Sequence, residues 1–415
     1  MLPLIHAMFA ATALDHRFFA GEASILSISL AEIVAYLSGF LLLLWLVRNP
    51  AGRRETFRSA LSWPNGLYLT WIALAGVLAL LIAGRNDGLH ELKNCAPGVI
   101  MFMAICAWVR TPERIDAVVK GVVISLAVLG LLGLSQFAFG WPYMNPVLDI
   151  AFGKMTVTGL DRVTHPSVGT FGTQNTYAVF MGPLFVFSVV STVERFRSTG
   201  ERVNRLLLLS FVVVAVALVA AQAKLVLAIT SLAVATFLIM ASLKIRPTRS
   251  IVIMLIGVVA SSVAAMITLL AVFEQEMPQG LQLGTMRGRL GLAAEATIFI
   301  AADRSVALVG GGAATFQETR GLHFNVHNEF LLQGLKWGVL GAGLFALVMG
   351  STLLRIRGQW AGPLAVTAAL LIYMVETATG NQQQTALFLL LGLAQAQGRL
   401  AKPGANGGQR GGMPG

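Results

Sequence analysis

The sequence contains little charge. Only 12% of its 415 residues are Asp, Glu, Lys or Arg, whereas about a quarter of the residues of a soluble domain are charged. Apolar residues make up 56% of the chain, and they form runs close to the roughly 20 residues that cross a bilayer. This composition excludes a soluble globular enzyme, a disordered chain and a disulfide scaffold. It predicts an all-α polytopic membrane protein.

Cysteines and clustered carboxylates are also scarce. The chain has two cysteines, Cys95 and Cys106, in one apolar run. A helix would hold them about 16 Å apart, which is too far for a disulfide bond. The sequence has no C-x-x-C and no D-x-D motif, whereas Mg²⁺ or Mn²⁺ requires clustered oxygen ligands. We therefore expect neither a metal nor a cofactor.

Hydropathy predicts about twelve membrane-spanning helices. They lie at 2–15, 25–47, 66–84, 95–109, 117–139, 175–193, 206–222, 225–243, 251–273, 331–354, 361–380 and 385–398. Residues 1–402 are interpreted as a single membrane domain, followed by a flexible glycine-rich tail at 403–415.

Basic residues cluster in alternate loops, and the positive-inside rule places those loops in the cytoplasm. This distribution explains the net charge of +11 without a nucleic-acid partner. The long loops 141–174 and 274–330 then lie on the outer side, as do five of the six histidines. In a bacterium, the protein would cross the inner membrane and expose this face to the periplasm.

Two arginines stand before a predicted amphipathic helix in the loop 274–330. Arg287 and Arg289 precede the apolar stretch from Leu290 to Ala302. Amides at a helix N-terminus attract anions, and the arginine fork suits phosphate or pyrophosphate. The alternative is a pair of solvated loop charges or contacts with lipid headgroups.

His327 lies where the same loop enters the next apolar span. A neutral imidazole at this junction is suited to take a proton from a hydroxyl group. Asn328 and Glu329 follow it and are candidates to orient it or to contact a polar substrate. The alternative is a histidine that caps the helix or lies at the interface.

Three further ionisable residues interrupt apolar stretches. Lys224 stands at an outer turn, as a second cation for a lipid-linked anion or as a side chain that reaches the interface. Glu32 and Glu376 lie inside predicted spans, where carboxylates are candidates for function. Asn381 and its glutamine neighbours make a polar packing network the alternative for Glu376.

Three motifs together resemble a known family. Segment 169–175 reads Gly-Thr-Phe-Gly-Thr-Gln-Asn, Gly288 and Arg289 open the outer helix before a glycine-rich turn at 310–312, and segment 327–331 reads His-Asn-Glu-Phe-Leu. In this order the motifs are similar to the G-T-F-G-x-x-N, G-R and H-N-x-x-L signatures of the O-antigen ligase and O-antigen polymerase superfamily of bacterial envelope glycosyltransferases.

The chain departs from this family at two positions. Ala223 and Lys224 stand where the family often has Ser-Arg, which keeps the charge and loses the bidentate fork. Ala293 stands where the outer helix of the family often carries Trp.

The resemblance implies a fold like that of type C glycosyltransferases and a periplasmic active site. His327 would be the general base and Arg289 the main contact of the pyrophosphate, in a metal-independent inverting transfer. The implied substrate-binding residues are Arg287, Lys224, Asn328, Glu329 and Asn175.

The implied donor is O-antigen on undecaprenyl pyrophosphate, and the implied acceptor is lipid A-core. The outer helix followed by H-N-x-x-L favours the ligase activity of the superfamily. The alternatives are an O-antigen polymerase, a protein O-oligosaccharyltransferase and, in a different class, a transporter of lipid-linked oligosaccharides.

Overall fold

The chain is helical in its computed structural model. The structure describes residues 2–13, 30–83, 87–139, 174–200, 203–245, 257, 286–320, 326–355, 359–374, 376–377 and 381–400. No strand occurs among these residues. The helices are α1 (Leu2–Ala13), α2 (Leu30–Arg48), α3 (Pro50–Ala60), α4 (Asn65–Ala83), α5 (Asp87–Trp108), α6 (Pro112–Phe139), α7 (Gln174–Thr199), α8 (Arg205–Ala220), α9 (Lys224–Ser242), α10 (Met286–Ala302), α11 (Arg304–Val309), α12 (Ala313–Arg320), α13 (Glu329–Arg355), α14 (Ala361–Tyr373) and α15 (Asn381–Leu400).

Five of the described helices are long and apolar enough to cross a membrane. They are Asn65–Ile82, Pro112–Phe139, Asn175–Thr199, Lys224–Ser242 and Glu329–Leu354. Three shorter apolar helices, α1, α8 and α14, pack among them. The chain is therefore an all-α protein with the helices of a membrane protein, as its composition predicts.

Helices occupy eleven of the predicted spans, and their ends differ in places from the hydropathy. The predicted span 251–273, the loop residues 141–173 and the tail 403–415 lie outside the described residues, apart from Gly257. Helix α14 ends at Tyr373, earlier than the predicted boundary at 380. Helix α5 begins at Asp87, before its predicted start at residue 95.

Helix α3, the residues after α5 and the end of α15 meet at one end of the helix bundle, which we call the arginine-rich end. The side chain of Gln395 near the end of α15 donates to the Ser59 carbonyl of α3, 2.6 Å away. Arg110, just after α5, pairs with Glu55 of α3. These contacts join helix ends that the charge pattern had placed on one side.

Contacts at the opposite end join the other helix ends. Gln382 at the start of α15 donates to the Thr12 carbonyl at the end of α1, 3.1 Å away. Lys93 near the start of α5 pairs with Glu32 in the first turn of α2, at 3.5 Å. The predicted intramembrane acid Glu32 is thus part of an ion pair near this end. We call it the site end, because the residues of the following section lie there.

The buried apolar residues form two clusters. The larger one fills the bundle. The smaller one joins α10, α11 and α12 to the first half of α13 and contains Leu292, Ala296, Ile300, Val306, Ala313, Phe316, Val326, Leu332 and Leu335. Burial of this second cluster fixes the three short helices on α13, so the helices of the predicted outer loop have a core of their own.

Helix α13 is broken at Gly338. This residue has φ 73° and ψ 176°, which is not helical. A break in an apolar helix exposes backbone carbonyls that need partners. Here the carbonyls of Leu335, Lys336 and Trp337 accept hydrogen bonds from the amides of Gly312 and Gly311 and from the Trp71 indole, at 3.0, 3.0 and 2.8 Å. The glycine-rich turn 310–312 therefore completes the broken helix.

Candidate functional site

The carboxylate of Glu376 joins Arg289 and His327. Its Oε1 atom accepts from Nη1 of Arg289 at 2.5 Å, and its Oε2 atom lies 3.1 Å from Nδ1 of His327. The exposed fractions of the side chains are 6% for Glu376, 15% for Arg289 and 23% for His327. The site is therefore a mostly buried charge cluster whose most accessible group is the imidazole.

Three separate elements present these side chains at the site end. Arg289 belongs to the first turn of α10, and His327 stands two residues before α13. Glu376 follows α14, and its backbone N–H donates to the Ile372 carbonyl at 2.8 Å. The backbone of Glu376 is thus held to the last turn of α14.

Asn328 ties two of these elements together. Its Oδ1 atom accepts from the Leu331 N–H at 3.0 Å, which satisfies a free donor at the start of α13. Its Nδ2 atom donates to the Met374 carbonyl at 3.0 Å. Met374 stands two residues before Glu376, so Asn328 holds the segment of His327 beside that of Glu376. These contacts agree with the predicted alternative in which Asn328 orients His327. The predicted contact of Asn328 with substrate stays a prediction.

Glu329 points into the bundle. The residue has no exposed surface, and its Oε1 atom accepts from Nε2 of Gln333 at 2.7 Å. The Oε1 atom of Gln333 in turn accepts from the Tyr68 hydroxyl of α4 at 2.9 Å. The Glu329 carboxylate is therefore not accessible in this structure. Its predicted contact with substrate stays a prediction.

A second buried charge lies below Glu329 and was missed by the sequence reasoning. Lys336 has 1% of its side chain exposed, and its Nζ atom lies 2.7 Å from Oε2 of Glu91 in α5. The available signal was that Lys336 is the single charged residue of the predicted span 331–354.

Lys224 and Asn175 lie at helix starts near the end of α14. Lys224 is exposed as the first residue of α9, and Asn175 is partly buried in the first turn of α7. Val226, two residues after Lys224, and Ile372 both border Gly182 of α7. Lys224 and Asn175 therefore lie at the starts of two helices, α9 and α7, that pack against α14, the helix before Glu376.

Helix α10 differs from its prediction in two respects. It begins at Met286, so Arg287 and Arg289 lie in its first turn and not before it. The Arg287 side chain is outside the part of the chain that the structure describes. The helix is not amphipathic, because its exposed side includes Leu290 and Ile298. Such an exposed apolar surface favours contact with acyl chains.

The cluster contains a cation of the kind that binds anions and an imidazole of the kind that accepts a proton. The described residues contain no group of three His, Cys, Asp or Glu side chains that could hold a metal ion. An arginine at a helix start attracts phosphate, and a histidine held at Nδ1 has Nε2 for proton transfer. Glu376 links the two functions.

Comparison with known proteins gives no family assignment: none of the family models matches the chain, and the search of curated proteins finds no match.

Proposed function

We propose that the chain is a membrane glycosyltransferase that moves O-antigen polysaccharide from undecaprenyl pyrophosphate to a sugar hydroxyl of lipid A-core. The observation that carries the proposal is the joint contact of Glu376 with Arg289 and His327. It couples a cation suited to a phosphate leaving group with a base suited to a hydroxyl. The three family motifs supply the substrate class.

His327 is the general base of the proposed reaction. Glu376 accepts a hydrogen bond from Nδ1, which leaves Nε2 as the unprotonated nitrogen. This nitrogen takes the proton of the acceptor hydroxyl as the oxygen attacks the anomeric carbon. The nearby carboxylate then stabilises the imidazolium that forms.

Arg289 stabilises the leaving group in the same step. The new bond forms between the acceptor oxygen and the anomeric carbon, while the bond from that carbon to the pyrophosphate oxygen breaks. The configuration inverts, and undecaprenyl pyrophosphate leaves with the bonding electrons. The Arg289 guanidinium offsets the charge that builds on that oxygen, with Arg287 and Lys224 as additional cations.

The proposed fold is that of the type C glycosyltransferases, with about twelve spans. The arginine-rich end faces the cytoplasm by the positive-inside rule, and the site end faces the periplasm of a bacterial inner membrane. Donor and acceptor both carry lipid tails, so their reacting ends must meet at a membrane surface. The exposed apolar residues Leu290 and Ile298 of α10 suit contact with these tails.

A transfer assay with the protein in lipid vesicles tests this proposal. Lipid-linked O-antigen and lipid A-core are incubated with the protein in the presence of EDTA, and lipopolysaccharide products are separated on a gel. We expect a ladder with the wild type and a loss of about 10²–10⁴-fold with His327→Ala. His90→Ala is the matched control, because His90 is an exposed histidine of α5.

The other outcomes separate the alternatives. Full activity of His327→Ala would refute the assigned base. Lengthening of the donor without use of lipid A-core would indicate a polymerase, and transfer to a serine- or threonine-containing peptide would indicate a protein O-oligosaccharyltransferase.

A transporter of lipid-linked oligosaccharides is the second candidate, and the buried charges Lys336, Glu91 and Glu329 favour it. Ionisable groups inside a membrane often mark transport pathways. Lys336 and Glu91 are, however, in contact with each other inside packed helices. A vesicle assay that shows movement of the lipid-linked sugar across the bilayer without transfer would support this candidate.

A further inference from the structure

We infer that the Glu376 carboxylate competes with pyrophosphate for the Arg289 guanidinium. When the donor binds, Glu376 gives up its contact with Arg289 and keeps its contact with His327. The identity of the ligand rests on the proposed function. The competition itself rests on the geometry of the three side chains and is measurable without sugar transfer.

The two oxygens of Glu376 serve different partners. Oε1 lies 2.5 Å from Arg289 and Oε2 lies 3.1 Å from His327. The carboxylate oxygen that contacts Arg289 is the same kind of charged acceptor as an oxygen of a phosphate group. A carboxylate of the chain itself thus occupies the position on Arg289 that pyrophosphate would take in the proposed reaction.

Because Arg289 is mostly buried, its contact with Glu376 weakens the attraction of Arg289 for a second anion such as pyrophosphate. Arg289 keeps only 15% of its side chain exposed, and its charge is balanced at contact distance. A pyrophosphate that approaches this pair meets little net attraction, because the carboxylate already offsets the guanidinium. Binding therefore requires the ion pair to loosen.

The second partner of Glu376 makes this exchange possible at low cost. A buried carboxylate that lost its partner would be strongly destabilised. When Arg289 turns to pyrophosphate, however, Glu376 keeps its contact with Nδ1 of His327. The carboxylate is then available to stabilise the imidazolium of the reaction. Donor binding would in this way prepare the base.

A titration of inorganic pyrophosphate followed by ³¹P NMR, with EDTA present, tests the competition. The proteins are the wild type and Glu376→Gln, each also in an Arg289→Gln background. We expect Glu376→Gln to bind pyrophosphate about tenfold more tightly, since it removes one charge-assisted hydrogen bond that binding must break. In the Arg289→Gln background we expect the same change to have no effect.

The double comparison separates competition from simple repulsion. Tighter binding from Glu376→Gln in both backgrounds would show repulsion by the carboxylate and would overturn the inference. Unchanged or weaker binding would overturn it as well. Glu55→Gln is the matched control, because Glu55 pairs with Arg110 at the arginine-rich end, and we expect it to leave the affinity for pyrophosphate unchanged.

Two further measurements keep the inference testable if Glu376→Gln does not fold, and they distinguish it from the proposed function. Glu376→Asp keeps the charge and covers the case in which Glu376→Gln does not fold; we expect it not to tighten binding, and tenfold tighter binding would refute the inference. Transfer activity is measured in parallel, where we expect Glu376→Gln to lose about 10²-fold because His327 loses the negative charge beside it. Absence of transfer by the wild type with the expected binding pattern would refute the proposed function and leave the anion competition standing.

Discussion

Glu376 is separated in the sequence from Arg289 by 87 residues and from His327 by 49. The sequence singles out all three side chains, but it assigns Glu376 only to a choice between intramembrane function and polar packing. In the structure Glu376 contacts both other groups. At the scale of single residues, the site is therefore defined by shared contacts with one carboxylate.

Substitution of Arg289 tests the anion contact. Arg289→Gln removes the guanidinium, and we expect transfer to fall by about 10²–10³-fold because one preorganised donor at the leaving group is lost. Arg289→Lys keeps the charge without the fork and should retain part of the activity. Arg304→Gln is the control, because Arg304 is exposed on the neighbouring helix α11. Equal losses for Arg289→Gln and Arg304→Gln in the transfer assay would contradict a specific role.

Removal of the Asn328 side chain tests its two hydrogen bonds. Asn328→Ala leaves the start of α13 uncapped and frees the Met374 carbonyl, so we expect a loss of about 1–2 kcal/mol of stability. Thermal unfolding in detergent, followed by tryptophan fluorescence, measures this loss. Asn204→Ala is the matched control, because Asn204 caps α8 through its Oδ1 atom on an exposed surface. A larger effect at Asn204 would argue against the positioning role of Asn328.

The broken helix α13 is the main feature at the scale of elements. His327 stands just before the part of α13 that precedes the break. Amides of the glycine-rich turn 310–312 donate to the carbonyls that the break leaves without helical partners. Helix α11 lies against the same point, since a Cβ atom at Gly338 would collide with the Leu308 carbonyl. The turn thus connects the segment of Arg289 to the helix that follows His327.

Substitution of Gly338 tests this joint. Gly338→Ala places a Cβ atom at φ 73° and against the Leu308 carbonyl, so we expect a loss of about 1–3 kcal/mol of stability. Gly343→Ala is the control within the same helix, because a Cβ atom there meets no neighbour within 4 Å. We expect Gly343→Ala to keep or slightly raise the thermal unfolding temperature. If both variants unfolded at the wild-type temperature, the break would not constrain the helix.

Buried polar contacts connect the helices across the whole molecule. Lys336 of α13 contacts Glu91 of α5 at 2.7 Å, and the Cys95 thiol of α5 donates to Oε1 of Gln384 in α15 at 2.9 Å. Cys95 and Cys106 are both buried, and no disulfide bond joins them, as their spacing predicts. These contacts hold α5 against both α13 and α15 beneath the site.

Removal of one partner of the buried ion pair tests its contribution to the whole fold. Lys336→Met leaves Glu91 without its partner, and we expect a loss of about 3–5 kcal/mol of stability. Addition of Glu91→Gln should recover most of it, because no unpaired charge then remains. Lys120→Met is the control, since Lys120 is half-exposed and pairs with Asp116, with an expected cost of about 1 kcal/mol or less. Equal losses from the single and double variants of the buried pair would contradict this account.

Much of the helix pattern was predictable, while the exact helix ends were not. Hydropathy located α4, α6, α7, α9 and α13 because an apolar run of this length must form a helix in a bilayer. It placed the end of α14 too late and the start of α10 too late, because capping and tertiary contacts decide helix ends. Those two differences move Glu376 out of a helix and Arg289 into one.

The sequence by itself determined the all-α membrane class and singled out Arg289 and His327, because hydropathy and side-chain chemistry are local properties. The tertiary structure decided that Glu376 joins these two residues, that Glu329 is buried and that Lys336 has an acidic partner. The physical reason is that a contact between distant segments depends on how the helices pack. Neither composition nor spacing contains that information.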